Sequence, residues 1–383
     1  MNTEINNDVD VVIIGGGVAG CIAAIALAES YHVVLIDKLD QPVERIGECL
    51  PPAARRILRR LDLLDGLESA VPPGGQSPHL KNIGTRSYWG KEQVQIVDHL
   101  RNPDGFGWHL DRRGFETYLR KAALKRGVNC VWPAKLHDAH YENLYWHITA
   151  EPVGEASKSN DYCYRAKFVI DASGRQSHFA RKSGVQRQHF DKLIACWATL
   201  PDFEQNKMST ISASELGWWY SAPLPNNKRV LALQTDSDLI DRREIKNVSQ
   251  FIKLAQANSE VAKIIEHNQG GIEFHQTVAA NSTRLNQVAG QQWAALGDAA
   301  ISFDPLSSQG MFNAMAGAMQ LAEMLIVFGL IENPGSKNMV QFQNAYTYQI
   351  DQIWSHYINH KKTFYRQEMR WKESVFWKRR HDD

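Results

Sequence analysis

Long apolar runs are missing from this sequence: none reaches the roughly 18 residues that a membrane-crossing helix needs, so no membrane partner is expected. Charge of one sign is not in excess either, with 43 Lys and Arg against 42 Asp and Glu. That balance removes the usual electrostatic reason to expect a nucleic-acid or membrane-surface partner. Cysteine is sparse and scattered: Cys21, Cys49, Cys130, Cys163 and Cys196 form no CxxC pair and have no histidine beside them at metal-ligand spacing. Neither a disulfide framework nor a metal site is expected, and a reducing cytoplasm is the default compartment. The opening MNTEINNDVD is polar and acidic, unlike the basic and then apolar start of a secretory signal. Repeats and low-complexity segments are absent too. What remains is a 383-residue chain, 43% hydrophobic, which suits two domains and a tail at roughly 100–200 residues per domain.

The first forty residues carry the sharpest local signal. Val9 to Ile14 is a β-branched run of the kind buried on both faces of a parallel sheet. Gly15-Gly16-Gly17-Val18-Ala19-Gly20 follows at once, then apolar residues at helical spacing, then a second strand, His32 to Ile36, ending at Asp37-Lys38. This order predicts a βαβ unit in which Gly15, Gly17, Ala19 and Gly20 let the backbone approach a pyrophosphate at a helix N-terminus. Asp37 is placed to accept hydrogen bonds from an adenosine ribose. NAD and FAD share this fingerprint, and the choice between them depends on distant segments.

Two such segments exist. Phe168-Val169-Ile170-Asp171-Ala172-Ser173-Gly174 is a short apolar strand ending in a polar turn, and Trp293-Ala294-Ala295-Leu296-Gly297-Asp298-Ala299-Ala300 is another. The second runs on through Phe303-Asp304-Pro305-Leu306-Ser307-Ser308-Gln309-Gly310 into a helical stretch. Together with the first turn they resemble the three fingerprints of flavin-dependent aromatic hydroxylases and tryptophan halogenases. The resemblance implies an α/β fold: a glutathione-reductase-like FAD-binding βαβ domain, an antiparallel-sheet substrate domain and a helical C-terminal tail. It implies FAD held by Asp171, Gly174, Gly297 and Asp298, with Pro305, Gly310 and Met311 beside the isoalloxazine ring. A helix starting at Gly310 would aim about half a positive charge at that ring. The Met311, Met315, Met319 stripe of that helix otherwise reads as core packing. Gly107-Trp108-His109-Leu110-Asp111-Arg112 resembles the family's helix opening, where Arg112 reaches the cofactor phosphates or adenosine. Arg45-Ile46-Gly47-Glu48-Cys49 resembles the loop lying along the cofactor, which adds Lys38, Arg45 and Glu48 to the binding set. Cys49 stands where close relatives are expected to carry Ser and is given no redox role.

The expected domains are discontinuous: 1–75, 106–185 and 286–330 for FAD, 76–105 and 186–285 for substrate, and 331–383 for the helical tail. Alternating stretches such as Ser209 to Ser214 and Arg229 to Thr235 predict the antiparallel sheet. Gly217-Trp218-Trp219-Tyr220 is its most aromatic strand, open to two readings, core filling or a substrate wall built from Trp218, Trp219 and Tyr220. Glu151 to Asp161 reads as a hairpin loop. The tail, closing in Arg370-Trp371 through Arg379-Arg380, has the composition of an interaction surface, or else packs on its own FAD domain.

Several reactions fit this frame. Tryptophan halogenases carry a Lys after the GE loop and a WxWxIP segment; the corresponding Trp218-Trp219-Tyr220-Ser221-Ala222-Pro223 departs from that pattern, and neither Lys81 nor Lys91 aligns with the Lys. Single-component hydroxylases carry DGxxSxxR, and here the basic residue Arg181 comes one position late, so NAD(P)H serves either directly or through a separate flavin reductase. A narrower resemblance runs nearly the whole chain, through Gly47-Glu48, Leu50-Pro51-Pro52, Ser87, Trp89-Gly90, Gly107 to Arg112, Gly217-Trp218-Trp219, Asp304 to Gly310 and the terminal Arg370 to Arg380. It is to the halogenase-like flavoproteins that accompany quinoprotein amino-acid oxidases. That resemblance implies a monooxygenase that activates O2 as a flavin C4a-hydroperoxide and hydroxylates a Trp of a partner precursor oxidase during cysteine tryptophylquinone formation. His109, Glu48, Asp304 and His275 are the acid–base candidates because their segments are expected near the ring. The alternatives are hydroxylation of a free small aromatic, halogenation, and a maturation partner for which FAD is only structural.

Overall fold

The computed structural model describes residues 7–69, 78–99, 101–154, 160–203, 206–241, 243–267 and 271–382. The β-branched N-terminal run forms β1 (Asn7–Ile14), followed by α1 (Val18–Leu27) and β2 (Val33–Ile36). β1 pairs in parallel with β2 on one side and with Tyr162–Asp171 on the other, and Tyr162–Asp171 pairs in parallel with Trp293–Ala295. These neighbours belong to an eight-stranded sheet that also includes Asn129–Val131 and the hairpin Ala134–Glu142/Tyr145–Pro152. Parallel strands end on the same side, so the glycine turns after β1, Asp171 and Ala295 share one edge of the sheet. The three fingerprints meet for that reason. α1 is buried on almost every side, between the sheet and the Arg112–Lys125 and Gly310–Val327 helices.

A seven-stranded sheet lies beside it, in the order Glu273–Ala279, Leu193–Pro201, Lys228–Asp236, Gly217–Leu224, Ser209–Ser214, Gly84–Tyr88, Gln95–Asp98. It is antiparallel as expected except where Ser209–Ser214 runs parallel to Gly84–Tyr88. One face is covered by the helices Val248–Gln256 and Ser259–His267, with Trp219, Phe251 and Leu233 at the contact. A three-stranded sheet of Cys49–Leu50, Gly107–Leu110 and His79–Asn82 is hydrogen-bonded to neither large sheet and lies against the Gly217–Leu224 strand. The expected hairpin is present as the antiparallel pairing of Tyr145–Pro152 with Tyr162–Asp171; residues 155–159 of its loop lie outside the described residues.

The tail is an internal brace. Its 30-residue helix Asn338–Gln367 buries Met339, Phe342, Tyr346, Ile350, Trp354 and Tyr357 in the core of the first sheet. Tyr365, near its end, joins Trp89, Trp218, Phe376 and Trp377 in a cluster against the second sheet. Two of its arginines pair with the second sheet's end: Arg380 with Asp236 at 2.7 Å, and Arg379 with Asp236 and Asp238. Among the described residues the helix Gly310–Val327 is long and apolar enough to cross a membrane by length and composition. Gly, Asn, Gln and Glu interrupt it as a run, and its Met315, Ala318, Leu321 and Leu325 are buried in the core.

Candidate functional site

A cavity of about 860 Å³ opens where the three turns meet the second sheet. Of the expected cofactor residues, Gly15, Gly17, Ala19, Asp37, Lys38, Arg45, Glu48, Arg112, Gly174, Asp298, Pro305, Gly310 and Met311 line it. The loop after β1 depends on glycine. Gly15 has φ +112°, and a Cβ there would lie 2.3 Å from the Ala172 carbonyl oxygen. Gly20 packs α1 down on that loop, since its Cβ would meet the Gly15 oxygen at 1.9 Å. Gly17 faces open space, and no side chain caps α1. The first N–H groups of α1 are therefore left for an anion. Gly310 likewise faces open space at the uncapped start of the Gly310–Val327 helix.

Three expected cofactor residues stand behind the lining. Gly20 acts through the packing just described. Asp171 is fully buried and pins its own turn, accepting from Ser173 N at 3.0 Å, Ser173 Oγ at 2.6 Å and Ala180 N at 2.8 Å. Gly297, at φ +59°, lets its turn approach Ala19, whose Cβ would be 3.1 Å from an added Cβ.

Asp37 accepts from Gly16 N at 2.6 Å and Leu39 N at 2.7 Å, so its carboxylate organises both loops at this end. Arg120 completes the arrangement. It pairs with Asp37 at 3.0 Å, donates to the carbonyls of Gly16, Leu39 and Asp40, and stacks 4.7 Å from the Trp132 ring. Sequence reading missed Arg120; its only signal was a charged residue on the apolar side of an amphipathic helix. At the mouth, Arg112 donates to Gly47 O at 2.5 Å and to Glu116 at 2.6 Å, and Arg45 reaches the same carboxylate at 3.3 Å. Two guanidiniums share one carboxylate there, which leaves a net positive rim. Arg187, also missed, holds the Asp298 and Ala299 carbonyls at 2.8 and 2.6 Å from beneath. Burial pushes its guanidinium down to about 10.

The far wall comes from the second sheet: Ala195, Ile211, Trp218, Tyr220, Gln234 and Val278. Strand alternation splits the expected aromatic trio. Trp218 and Tyr220 face the cavity, while Trp219 points the other way, edge-on to Phe251 at 5.4 Å. The acid–base candidates divide similarly. Glu48 and Asp304 line the cavity. Glu48 accepts from the Tyr220 hydroxyl and from Gly47 N at 3.1 Å. Burial and the Glu48 charge raise the Tyr220 hydroxyl well above its ordinary range, so it stays a donor. Asp304 accepts from Leu306 N at 2.9 Å and the Tyr365 hydroxyl at 2.8 Å, and burial raises its carboxyl.

His109 and His275 do not line the cavity. His109 is fully buried in the small sheet with Nε2 3.3 Å from Lys207 O, and burial lowers it to about 3, so it is a neutral core group. His275 stacks on Trp197 at 4.1 Å and bonds Thr199 at 2.8 Å. Cys49 lines the cavity as an inert thiol, raised to about 12 by burial. Among the described residues one grouping has metal-ligand geometry: His140, Glu142 and His147 on the Ala134–Glu142/Tyr145–Pro152 hairpin, with ligand atoms within 4.8 Å of one another.

The comparisons with known proteins agree with this geometry. The family model described as tryptophan halogenase matches residues 10–69 and 91–383. The chain belongs to the tryptophan halogenase family. This family member is 29% identical over 380 residues to the putative FAD-dependent oxidoreductase LodB of Marinomonas mediterranea, covering 97% of this chain and 96% of that protein. Its fold is also that of the myxobacterial chondrochloren halogenase CndH, an FAD-dependent halogenase (TM-score 0.80, 19% identity, 98% of this chain and 86% of that one). The peptidyl tryptophan dihydroxylase QhpG, essential for tryptophylquinone cofactor biogenesis, shares it too (TM-score 0.77, 19% identity, 97% and 78%). The residues present fit FAD: a glycine turn whose Gly15 and Gly20 admit no Cβ, an uncapped α1, a positive rim and an aromatic wall at the opposite end. As a halogenase-family member the chain is a flavin-dependent oxidoreductase.

Proposed function

We propose that this chain is an FAD-dependent monooxygenase that hydroxylates an aromatic ring, and that the ring is a Trp side chain of a partner quinoprotein oxidase maturing its cysteine tryptophylquinone. The observation that carries the reading is the make-up of the cavity wall beside the Pro305–Met311 turn. It is aromatic and acidic, with Trp218, Tyr220, Glu48 and Asp304, and no lysine is among the described residues lining it. The cavity's lysines, Lys38 and Lys135, belong to the Asp37 end, and Lys81 sits 4.3 Å over Phe106 instead. The near full-length likeness to LodB and the QhpG fold support the protein-substrate form of the reading.

In the working complex, reduced FAD supplies the oxygen-activating chemistry. Gly15, Gly17 and the α1 N-terminus bind the pyrophosphate, with Arg45 and Arg112 adding positive charge at the rim. Asp37, held by Arg120, takes the adenosine ribose. Trp218, Ile211 and Val278 orient the aromatic ring and exclude water. Tyr220 holds a proton on its hydroxyl against Glu48 Oε1, ready to donate within the cavity. Electrons come from NAD(P)H, directly or through a separate flavin reductase. Co-expression with a precursor oxidase should place two oxygens on one Trp by peptide mass spectrometry, and Glu48→Gln should lower the yield at least tenfold. An unmodified Trp beside the FAD-loaded enzyme overturns the protein-substrate reading; oxygen gained instead by a free aromatic compound redirects it to small-molecule hydroxylation.

A further inference from the structure

Trp218, Tyr365 and Asp304 form one buried line of hydrogen bonds behind the cavity wall. Trp218 Nε1–H donates to the Tyr365 oxygen at 3.0 Å, and the Tyr365 hydroxyl donates to Asp304 Oδ2 at 2.8 Å. Trp218 and Asp304 line the cavity from different elements, whereas Tyr365 belongs to the C-terminal helix. The direction of the line is forced, because an indole N–H can only donate. With Trp218 filling the acceptor position of Tyr365, the phenol proton has Asp304 as its outlet. With Oδ1 accepting from Leu306 N, a proton on Asp304 Oδ2 would aim a second donor at the same phenol oxygen, so this hydrogen bond favours the ionised carboxyl.

We propose that Tyr365 is a positioning residue of the active site: it fixes the Trp218 indole in the substrate wall and holds Asp304 as a carboxylate beside the flavin-side turn, Pro305–Met311. This rests on the FAD-dependent reading above and deepens it. A carboxylate held there opposes the build-up of negative charge on bound FAD, so it keeps the flavin a strong electron donor toward oxygen. The other charged and titratable groups facing Asp304 are Lys361, Asp191 and Arg380, together with the Tyr357 hydroxyl, which accepts from Asp304 N at 2.8 Å. Burial pushes the Asp304 carboxyl upward, and the Lys361 charge, the Leu306 N–H and the Tyr365 hydroxyl pull against it. Tyr365 is itself braced by Trp89 at 5.7 Å, by Arg380 at 5.1 Å over its ring, and by His381 on its carbonyl.

The test uses the full-length, FAD-loaded protein without substrate, so its outcome is separate from whether any Trp is hydroxylated. Tyr365→Phe keeps the ring and removes the hydroxyl. Infrared difference spectra should show the protonated-carboxyl band appearing at a pH higher by roughly one to two units than in the parent, the worth of one hydrogen bond to a buried carboxylate. Asp304→Asn should abolish that band, which assigns it. The midpoint potential of bound FAD should rise in Asp304→Asn, and in Tyr365→Phe over the pH interval between the two titrations; Tyr365→Phe should add nothing on top of Asp304→Asn. Trp218→Phe, which empties the acceptor position of Tyr365, should move both readouts the same way by less, and it serves should Tyr365→Phe fail to fold. A folded, FAD-binding variant at position 365 or 218 whose carboxyl titration and flavin potential match the parent overturns the proposal.

Discussion

Single residues here are constrained by what surrounds them more than by their own chemistry. His109 was an acid–base candidate because its segment was expected near the flavin ring, yet it is a buried neutral imidazole. Its folded-state value, about 3, lies below the ordinary 6.5, so its stability contribution is complete above 6.5 and fades as pH falls from 6.5 toward 3. His109→Leu should flatten that part of the stability profile, by on the order of 4 kcal/mol at the acid end. Urea unfolding at pH 7 and pH 4.5 measures it, and an unchanged difference between the two would show that the imidazole is not the acid-sensitive group. Gly15 is the opposite case, a residue whose lack of a side chain is the requirement. The need for glycine was legible in the run before Val18, because turn conformation is a local property; the Ala172 carbonyl that crowds Gly15 comes from a distant strand end and was not.

At the scale of elements, alternation and loop anchoring decide what reaches the cavity. The Gly217–Leu224 strand presents Trp218 and Tyr220 to one side and Trp219 to the other. Trp219→Ala should therefore cost about 3–5 kcal/mol of stability while leaving FAD affinity within twofold; denaturant unfolding and a flavin-fluorescence titration separate the two effects. The turn after β1 and the loop after β2 are tied together by Arg120 from a third element. Arg120→Leu strands the Asp37 carboxylate and releases three carbonyls. Its FAD dissociation constant should rise at least on the order of tenfold, the loss of one or two charge-assisted hydrogen bonds, in the same titration.

Across the whole molecule, the C-terminal arm joins the two large sheets. Tyr346 and Tyr357 grip the cofactor sheet's turns through Ala295 O and Asp304 N, and Phe376, Trp377 and Arg380 close the cluster behind Trp218. Removing residues 368–383 would leave Asp236, 1% exposed, without Arg379 and Arg380. Stranding a buried carboxylate costs roughly 3–5 kcal/mol, before counting the uncovered aromatics. The truncated chain should melt earlier in a thermal scan and recover less on added FAD than the full-length protein. Aromatic and basic composition alone had left the arm open between an interaction surface and self-packing, because composition does not say which acids lie opposite.

By itself the sequence determined the cofactor and the class of fold. Each fingerprint is a strand running into a glycine turn, and that chemistry is written in adjacent residues. Only the tertiary structure decided which side chains confront the substrate and how they are charged. Glu48 meets Tyr220 across 172 positions, Asp304 meets Tyr365 across 61, and Tyr365 meets Trp218 across 147. Such pairs leave no local pattern, because what selects them is the burial of polar groups that must find partners once the sheets and the C-terminal arm close around one cavity.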